Sequence, residues 1–373
     1  MLAQADTCLS FKQIPLYNPE KYDIINCEKY LPKERFFMKI LVILTGGTIA
    51  CKVENNIIDA NSDTAYDILR LYNSEIKADE NEIEFIAKQP FTILSENYTS
   101  STYNTLIDYL YSCNFAEYDG VIITHGSDTL SYTSSMVGML MRDTSIPILL
   151  TAADYPLSDK KSNGLSNFSA CVEFIKSDIC NGIFTAYGEK GHTFIYLSTR
   201  MNEADPVTDR FTPCGNAVVA QVINNKICQI DESLISMLKN KNNRLFTEKP
   251  VIKNDILLIK TYPNQYYNRY NVDNLKAVVI YMYHSATACT IGENTDLCKF
   301  IERCNKCIVD VYLASLKNKN EEYATAYKME ALKINKLYNI SKESAYIKAL
   351  LAYNQQEYSA VDIMNTNIYF ECQ

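Results

Sequence analysis

The chain is expected to be an α/β protein, with a larger N-terminal domain of a mostly parallel sheet sandwiched by helices, plus a smaller C-terminal α/β domain. Three observations lead there. From Met38 onward, short apolar runs alternate with longer helical patterns, as in a parallel sheet covered on both faces. A weakly apolar stretch rich in Asn, Lys and Glu at 229–254 separates that run from a second, shorter α/β set. A length of 373 residues is enough for two separate cores.

The elements follow in order. Residues 1–37 carry prolines and tyrosines without periodicity and are read as an appendage. The N-terminal domain, 38–228, opens with strand 38–44 (MKILVIL), then a polar loop and a helix near 63–73. A strand near 82–88, a helix near 101–113, strand 120–124 (GVIIT) and helix 129–142 come next. Strand 147–151 (PILLT) leads through a polar loop to helix 164–178 and strands near 182–186 and 193–198. After the linker at 229–254, the C-terminal domain, 255–373, holds strands 255–261 and 276–283, helix 293–303, strand 307–313 and helix 341–354.

Composition removes several function classes. No apolar run approaches the roughly 18 residues that argue for a membrane span. The first residues lack a charged segment followed by an apolar core, so no secretory signal is expected there. A net charge of −8 with interspersed signs disfavours nucleic acid and anionic membrane as partners. The 28 tyrosines are therefore not read as base-stacking residues, and Tyr266, Tyr267 and Tyr270 are placed on a surface loop. Thirteen cysteines in no regular framework suit a reduced, cytoplasmic protein. The CxxC at Cys304–Cys307 has no second pair to complete a zinc site and reads as a turn, so neither metal nor cofactor is expected.

Chemistry concentrates at two strand ends. TGGTIA (45–50) follows strand 38–44, and HGSDT (125–129) follows strand 120–124. In open α/β sheets ligands sit at such edges. Gly46 and Gly47 allow positive φ and close approach of a ligand to the backbone. The spacing does not fit GxGxxG, and neither a P-loop nor GxSxG occurs. The clustered hydroxyls could supply a nucleophile, Ser127 could donate to a carboxylate or assist that nucleophile, and Asp128 offers a carboxylate for an ammonium group. Hydroxyl, backbone N–H donors and carboxylate together suit acyl transfer. Two structural readings stand beside this one: a plain Gly-Gly turn, and Ser127-Asp128-Thr129 as the N-cap of helix 129–142. A structural role is favoured for His125.

These segments resemble the signatures of bacterial-type L-asparaginases, which usually read TGGTIA and HGTDT. Ser95-Glu96-Asn97 falls at that family's substrate loop, and Leu150–Leu157 with Ser162-Asn163-Gly164-Leu165-Ser166-Asn167 resembles its segment ending in SDGxxN. The likeness covers about 38–180, is weaker over 255–355 and is absent over 1–37. It implies a Thr48 nucleophile attacking the side-chain amide of asparagine, with Ser127 in place of the second catalytic threonine. It implies that Asp128 binds the α-amino group, that Ser95 and Glu96 hold the amino-acid end, and that Gly47 and Gly126 keep the backbones close. It further implies homodimers or homotetramers acting on a small amino-acid amide.

Three departures stand out. The family's lysine after an arginine is missing: Thr199-Arg200-Met201-Asn202-Glu203-Ala204-Asp205 puts acids there, with Arg210, Lys160 and Lys161 as the nearest substitutes. The loop after TGGTIA (Cys51–Asp59) has isoleucine near the family's tyrosine, and Cys51 is a conceivable nucleophile without a basic partner. Ser127 replaces threonine. The readings left open are an amidohydrolase, a non-catalytic binder or sensor of a small amino acid, and an amidase subunit passing ammonia to a partner. Tyr283-His284-Ser285 after strand 276–283 is either a further ligand contact or an ordinary turn.

Overall fold

The structure is a computed structural model that describes residues 37–54, 57–60, 63–76, 82–239, 244–316 and 323–372. The appendage expected at 1–37 lies almost wholly outside the described residues, as do the side chains of 52–58 in the loop after TGGTIA. The chain begins with β1 (Met38–Leu44), the antiparallel pair β2 (Cys51–Glu54) and β3 (Ile57–Ala60), and α1 (Asp67–Leu71). There follow β4 (Ile83–Lys88), α2 (Ser100–Ser112), β5 (Gly120–Thr124), α3 (Leu130–Leu140), β6 (Pro147–Thr151), α4 (Gly164–Lys176), β7 (Gly182–Glu189) and β8 (His192–Leu197). A hairpin of β9 (Val218–Ile223) and β10 (Lys226–Ile230) leads to α5 (Glu232–Leu238). The remainder is β11 (Ile256–Lys260), β12 (Ala277–Tyr281), α6 (Leu297–Lys306), β13 (Asp310–Leu316), α7 (Ala324–Glu330), β14 (Asn335–Tyr338), α8 (Lys342–Tyr353) and α9 (Ala360–Asn365).

The large sheet has the order β10-β9-β8-β7-β6-β5-β1-β4. It is parallel from β4 to β7 and antiparallel from there to β10. The second sheet, β11-β12-β13-β14, is parallel throughout. β5 and β6 are buried at every position and β1 at all but Lys39, because helices cover both faces of the sheet. Register sets the site. Leu44 pairs with Thr124 and Thr124 with Thr151, so β1, β5 and β6 run out on one level, while β7 passes it at Ala186 and continues to Glu189. The loops that follow β1, β5 and β6 share one rim.

Local chemistry places the helices around that sheet. Thr99 and Thr102 close a capping box at the start of α2. Asp231, Asp296 and Ser341 accept backbone N–H bonds at the starts of α5, α6 and α8. α3 is buried nearly all round, lying between the sheet and α8. Small residues make this approach possible: Ser135 Oγ and Ser344 Oγ are 2.9 Å apart, and a Cβ at Gly138 would sit 2.6 Å from Ser198 Oγ.

Some expectations differ from what forms. The 229–254 stretch holds the end of β10 and α5. The helix read near 63–73 is a 3-10 turn, α1 and a π-turn in succession over Thr64–Ile76. The turn between helix and strand begins at the exposed Cys307, whereas Cys304 is buried inside α6, which runs to Lys306. Tyr267 is not a surface residue. It is buried in the smaller core against Phe300, with ring centroids 5.6 Å apart. α8, α9 and the tail after them pack into the larger core, which reaches Tyr369.

Candidate active site

Two glycines shape the loop after β1. Gly46 and Gly47 take φ of +105° and +75°, where a side chain is strained. The loop is pinned across to the segment after β4, with Gly47 N–H donating to Ile93 O at 3.0 Å and Ile93 N–H to Thr45 O at 3.2 Å. Thr48 then opens a 3-10 turn, half-buried, closed by Ala50 N–H donating to Gly47 O at 2.8 Å.

The loop after β5 meets it. A Cβ at Gly47 would lie 2.3 Å from Gly126 N, and a Cβ at Gly126 would lie 2.4 Å from Ser95 Oγ. The Thr129 hydroxyl donates to Ser95 O at 3.0 Å. Thr129 does occupy the N-cap position of α3, but its side chain does not cap that helix; it ties two loops together instead. Ser127 is half-buried and Asp128 exposed. Of the residues expected from the sequence, Gly47, Thr48, Ser95, Glu96, Gly126, Ser127 and Asp128 thus lie on three loops in mutual contact.

Charge around the three loops is acidic. Partial burial and then the Glu96 carboxylate hold the Asp128 carboxyl above its ordinary range. Burial, then Asp59, then Glu96 push the Cys51 thiol up to about 11, and the thiol donates to Gly47 O at 3.1 Å. Cys51 is therefore a neutral thiol near pH 7 and fails as a nucleophile. Ser95 Oγ is 2 % exposed as part of its residue and has no hydrogen-bond partner among the described residues. Such a buried hydroxyl is the kind that a ligand or water satisfies.

His125 is fully buried, and burial pushes its imidazole down to about 4. Its Nδ1 lies 2.8 Å from Gly126 O, a group that only accepts, so Nδ1 carries the proton. This neutral ring is a structural part.

The loop that departs from the resemblance is engaged elsewhere. Arg200 donates through Nε to Phe370 O at 2.5 Å and through Nη2 to Cys372 O at 3.0 Å. Glu203 accepts from Tyr132 Oη at 2.6 Å and pairs with Lys342 Nζ at 2.7 Å, and its N–H donates to Glu343 Oε1 at 2.9 Å. Asp205 caps its own turn through the N–H groups of Thr208 and Val207. Of the substitutes considered, Arg210 pairs with Glu189 and Lys161 packs over the Tyr155 ring. Tyr283–Thr287 closes as a turn on itself, with Tyr283 N–H donating to Thr287 O and Ala286 N–H to Tyr283 O.

Sequence reasoning passed over Tyr98, whose hydroxyl and ring touch both glycine loops. Its only signal was a position three residues after Ser95. Lys342, over 130 residues from Glu203, left no local signal at all.

Comparison with known proteins fits this geometry. The family model described as Asparaginase, N-terminal matches residues 39–230. The chain is 28% identical over 226 residues to a glutamyl-tRNA(Gln) amidotransferase component of Methanosphaera stadtmanae, covering 60% of this chain and 50% of that protein. It is 34% identical over 167 residues to an L-asparaginase of Thermococcus kodakarensis, covering 44% of this chain and 48% of the relative. The chain thus spans about half the length of the curated relatives it matches. In fold it resembles the thermostable L-asparaginase from Thermococcus kodakarensis, with a TM-score of 0.71 and 20% identity over 90% of this chain and 99% of that one. It also resembles L-asparaginase I from Vibrio cholerae, with a TM-score of 0.69 and 17% identity at the same coverage.

Proposed function

The chain belongs to the asparaginase family, and on that premise we propose that it is an L-asparaginase-like amidohydrolase converting L-asparagine, or a related small amide, to the acid and ammonia. Thr48 Oγ attacks the amide carbon, and the negative oxygen that forms is stabilised by backbone N–H groups at the loop tips. The C–N bond then breaks, the Thr48 proton ends on the departing nitrogen, and ammonia leaves. Water cleaves the resulting Thr48 ester and restores the hydroxyl. Ser127 stands beside the reacting groups. Asp128 takes the substrate ammonium, while Ser95 and Glu96 hold the amino-acid end.

The observation that carries this reading is the three-way contact of Gly47, Gly126 and Ser95, which brings the Thr48, Asp128 and Glu96 loops together. No described helix is long and apolar enough to cross a membrane. We place the protein in the cytoplasm, as a homodimer or homotetramer that binds neither nucleic acid nor membrane. The test is ammonia release from a panel of amino-acid amides, wild type against Thr48→Ala. Release from asparagine that the variant lacks supports the reading, and release unchanged in the variant overturns it.

A second reading is favoured by the relatives that are named as components of glutamyl-tRNA(Gln) amidotransferase. In it the chain is an amidase subunit that supplies ammonia to a partner, and turnover appears only when the partner is added. A third, a non-catalytic binder of a small amino acid, draws on the engagement of Arg200, Glu203 and Asp205 away from these loops. It requires thermal stabilisation by aspartate or asparagine without turnover.

A further inference from the structure

We propose that Tyr98 is a positioning residue for the reaction, holding the Thr48 loop and the Asp128 loop at their working separation; this rests on the hydrolase reading above. Tyr98 follows the 3-10 turn Ser95–Asn97, and its N–H donates to Ser95 O at 3.2 Å. It therefore belongs to the third loop, the one that carries Ser95 and Glu96.

Its two functional parts reach the other two loops. The Tyr98 hydroxyl lies 3.2 Å from Thr45 Oγ1, and Thr45 Oγ1 donates to Thr124 O at 2.6 Å. Thr45 opens the segment that ends in the Thr48 turn, and Thr124 is the last residue of β5. The chain of donors thus runs from the third loop through the first to the end of β5. Linked donors of this kind polarise and strengthen one another. The Tyr98 ring lies flat over the His125 imidazole, with centroids 4.8 Å apart and planes 14° from parallel. His125 in turn holds Gly126 O through Nδ1.

The phenol is suited to hold rather than to exchange protons. Burial pushes its pKa well above the ordinary tyrosine range, so the hydroxyl stays a donor throughout the working pH. His125 stays neutral for the same reason, and the stacked pair carries no charge. Phe91 meets Tyr98 edge-on at 5.8 Å and Tyr103 lies against it at 5.4 Å, so the ring has little room to turn. Tyr98 touches no reacting atom. It acts through Thr45 and His125 on where Thr48 and Asp128 stand.

The experiment compares Tyr98→Phe, Tyr98→Leu and a control, Tyr111→Phe, by ammonia release and by backbone hydrogen exchange over residues 45–50 and 125–129. Tyr111 donates to Phe246 O at 2.8 Å, so the control removes a comparable phenol that serves none of the three loops. Tyr98→Phe keeps the ring and is expected to lower kcat about fivefold with KM within about twofold, with faster exchange at 45–50 alone. Tyr98→Leu is expected to lower kcat about a hundredfold and to speed exchange in both segments. The control should leave kcat and both exchange patterns at wild-type values.

Tyr98 variants that shift only the melting temperature, with kcat and exchange unchanged, overturn the proposal. A wild type that hydrolyses no amide defeats the hydrolase reading instead. In that case the exchange data alone decide whether Tyr98 couples the two loops.

Discussion

Gly47 and Gly126 meet backbone to backbone: a Cβ on Gly47 would stand 2.3 Å from Gly126 N and 2.4 Å from Gly126 Cα. Neither partner at that contact is a side chain that could swing away. Gly47 also holds φ of +75°, so an alanine there is strained twice. Gly47→Ala is expected to lower stability by about 1–3 kcal/mol. Forcing the loops apart by even 1 Å should lower kcat for ammonia release about a hundredfold. Melting curves and turnover on the same preparation check both, and wild-type kcat in the variant would show that the contact does not set the site.

The Asp128 carboxyl sits above its ordinary range through partial burial and Glu96. In the proposed role of Asp128 the substrate ammonium binds the ionised form, so KM should rise as pH falls toward the raised value, earlier than for a free carboxylate. The sign for stability is the reverse. A carboxyl whose folded pKa is raised favours the native state while protonated, and that contribution disappears as pH rises through the folded value. Glu96→Gln removes one of the two causes, so the acid limb of the KM profile should move to lower pH. A limb that stays in place would remove Glu96 from the electrostatics of the three loops.

How much of this was readable from the chain varies with the range of the interaction. β1, β5 and β6 match the apolar runs MKILVIL, GVIIT and PILLT residue for residue, because strands buried on both faces carry continuous apolar sequence that stops where the rim begins. The glycines of the two motifs were readable for the same reason, since positive φ and close backbone approach leave few other choices. The β9–β10 hairpin was missed although Asn224 and Asn225, both at positive φ, mark its turn. Tyr98, Thr129 and Lys342 act on residues far along the chain, and no local period or spacing announces such contacts. Tyr267 was misplaced because tyrosine suits both surface and core, and only the packing of Phe300 decides which.

Cys51 and Cys307 should separate cleanly under alkylation. Cys51 is buried, with its thiol pushed up to about 11 and donating to Gly47 O. Cys307 is exposed at the end of α6. Iodoacetamide at pH 7.5 is expected to label Cys307 well before Cys51, since only the thiolate reacts. Cys51→Ser should keep most of the turnover, because the thiol is not the nucleophile. Peptide mapping of the labelled protein reads the order, and rapid loss of activity tracking Cys51 labelling would reverse the assignment.

The tail after α9 is held by an ion pair with almost no solvent contact. Lys348 is 1 % exposed and Glu371 is 0 %, with Nζ and Oε1 2.8 Å apart. Glu371 also accepts from the N–H groups of Ile368 and Tyr369, and Lys348 donates to Thr366 O at 2.5 Å. Tyr369 Oη accepts from Ile183 N–H at 2.7 Å, and Arg200 holds Phe370 O, so the tail reaches both β7 and the loop after β8. Removing one charge strands the other in the core. Lys348→Met alone is expected to cost about 3–5 kcal/mol, whereas Lys348→Met with Glu371→Leu should recover much of that loss because no unpaired charge remains. Chemical denaturation of the two single variants and the double variant measures the coupling directly. Strict additivity would mean that the two charges act independently, and the tail would then owe its place to Tyr369 and the Arg200 bonds alone.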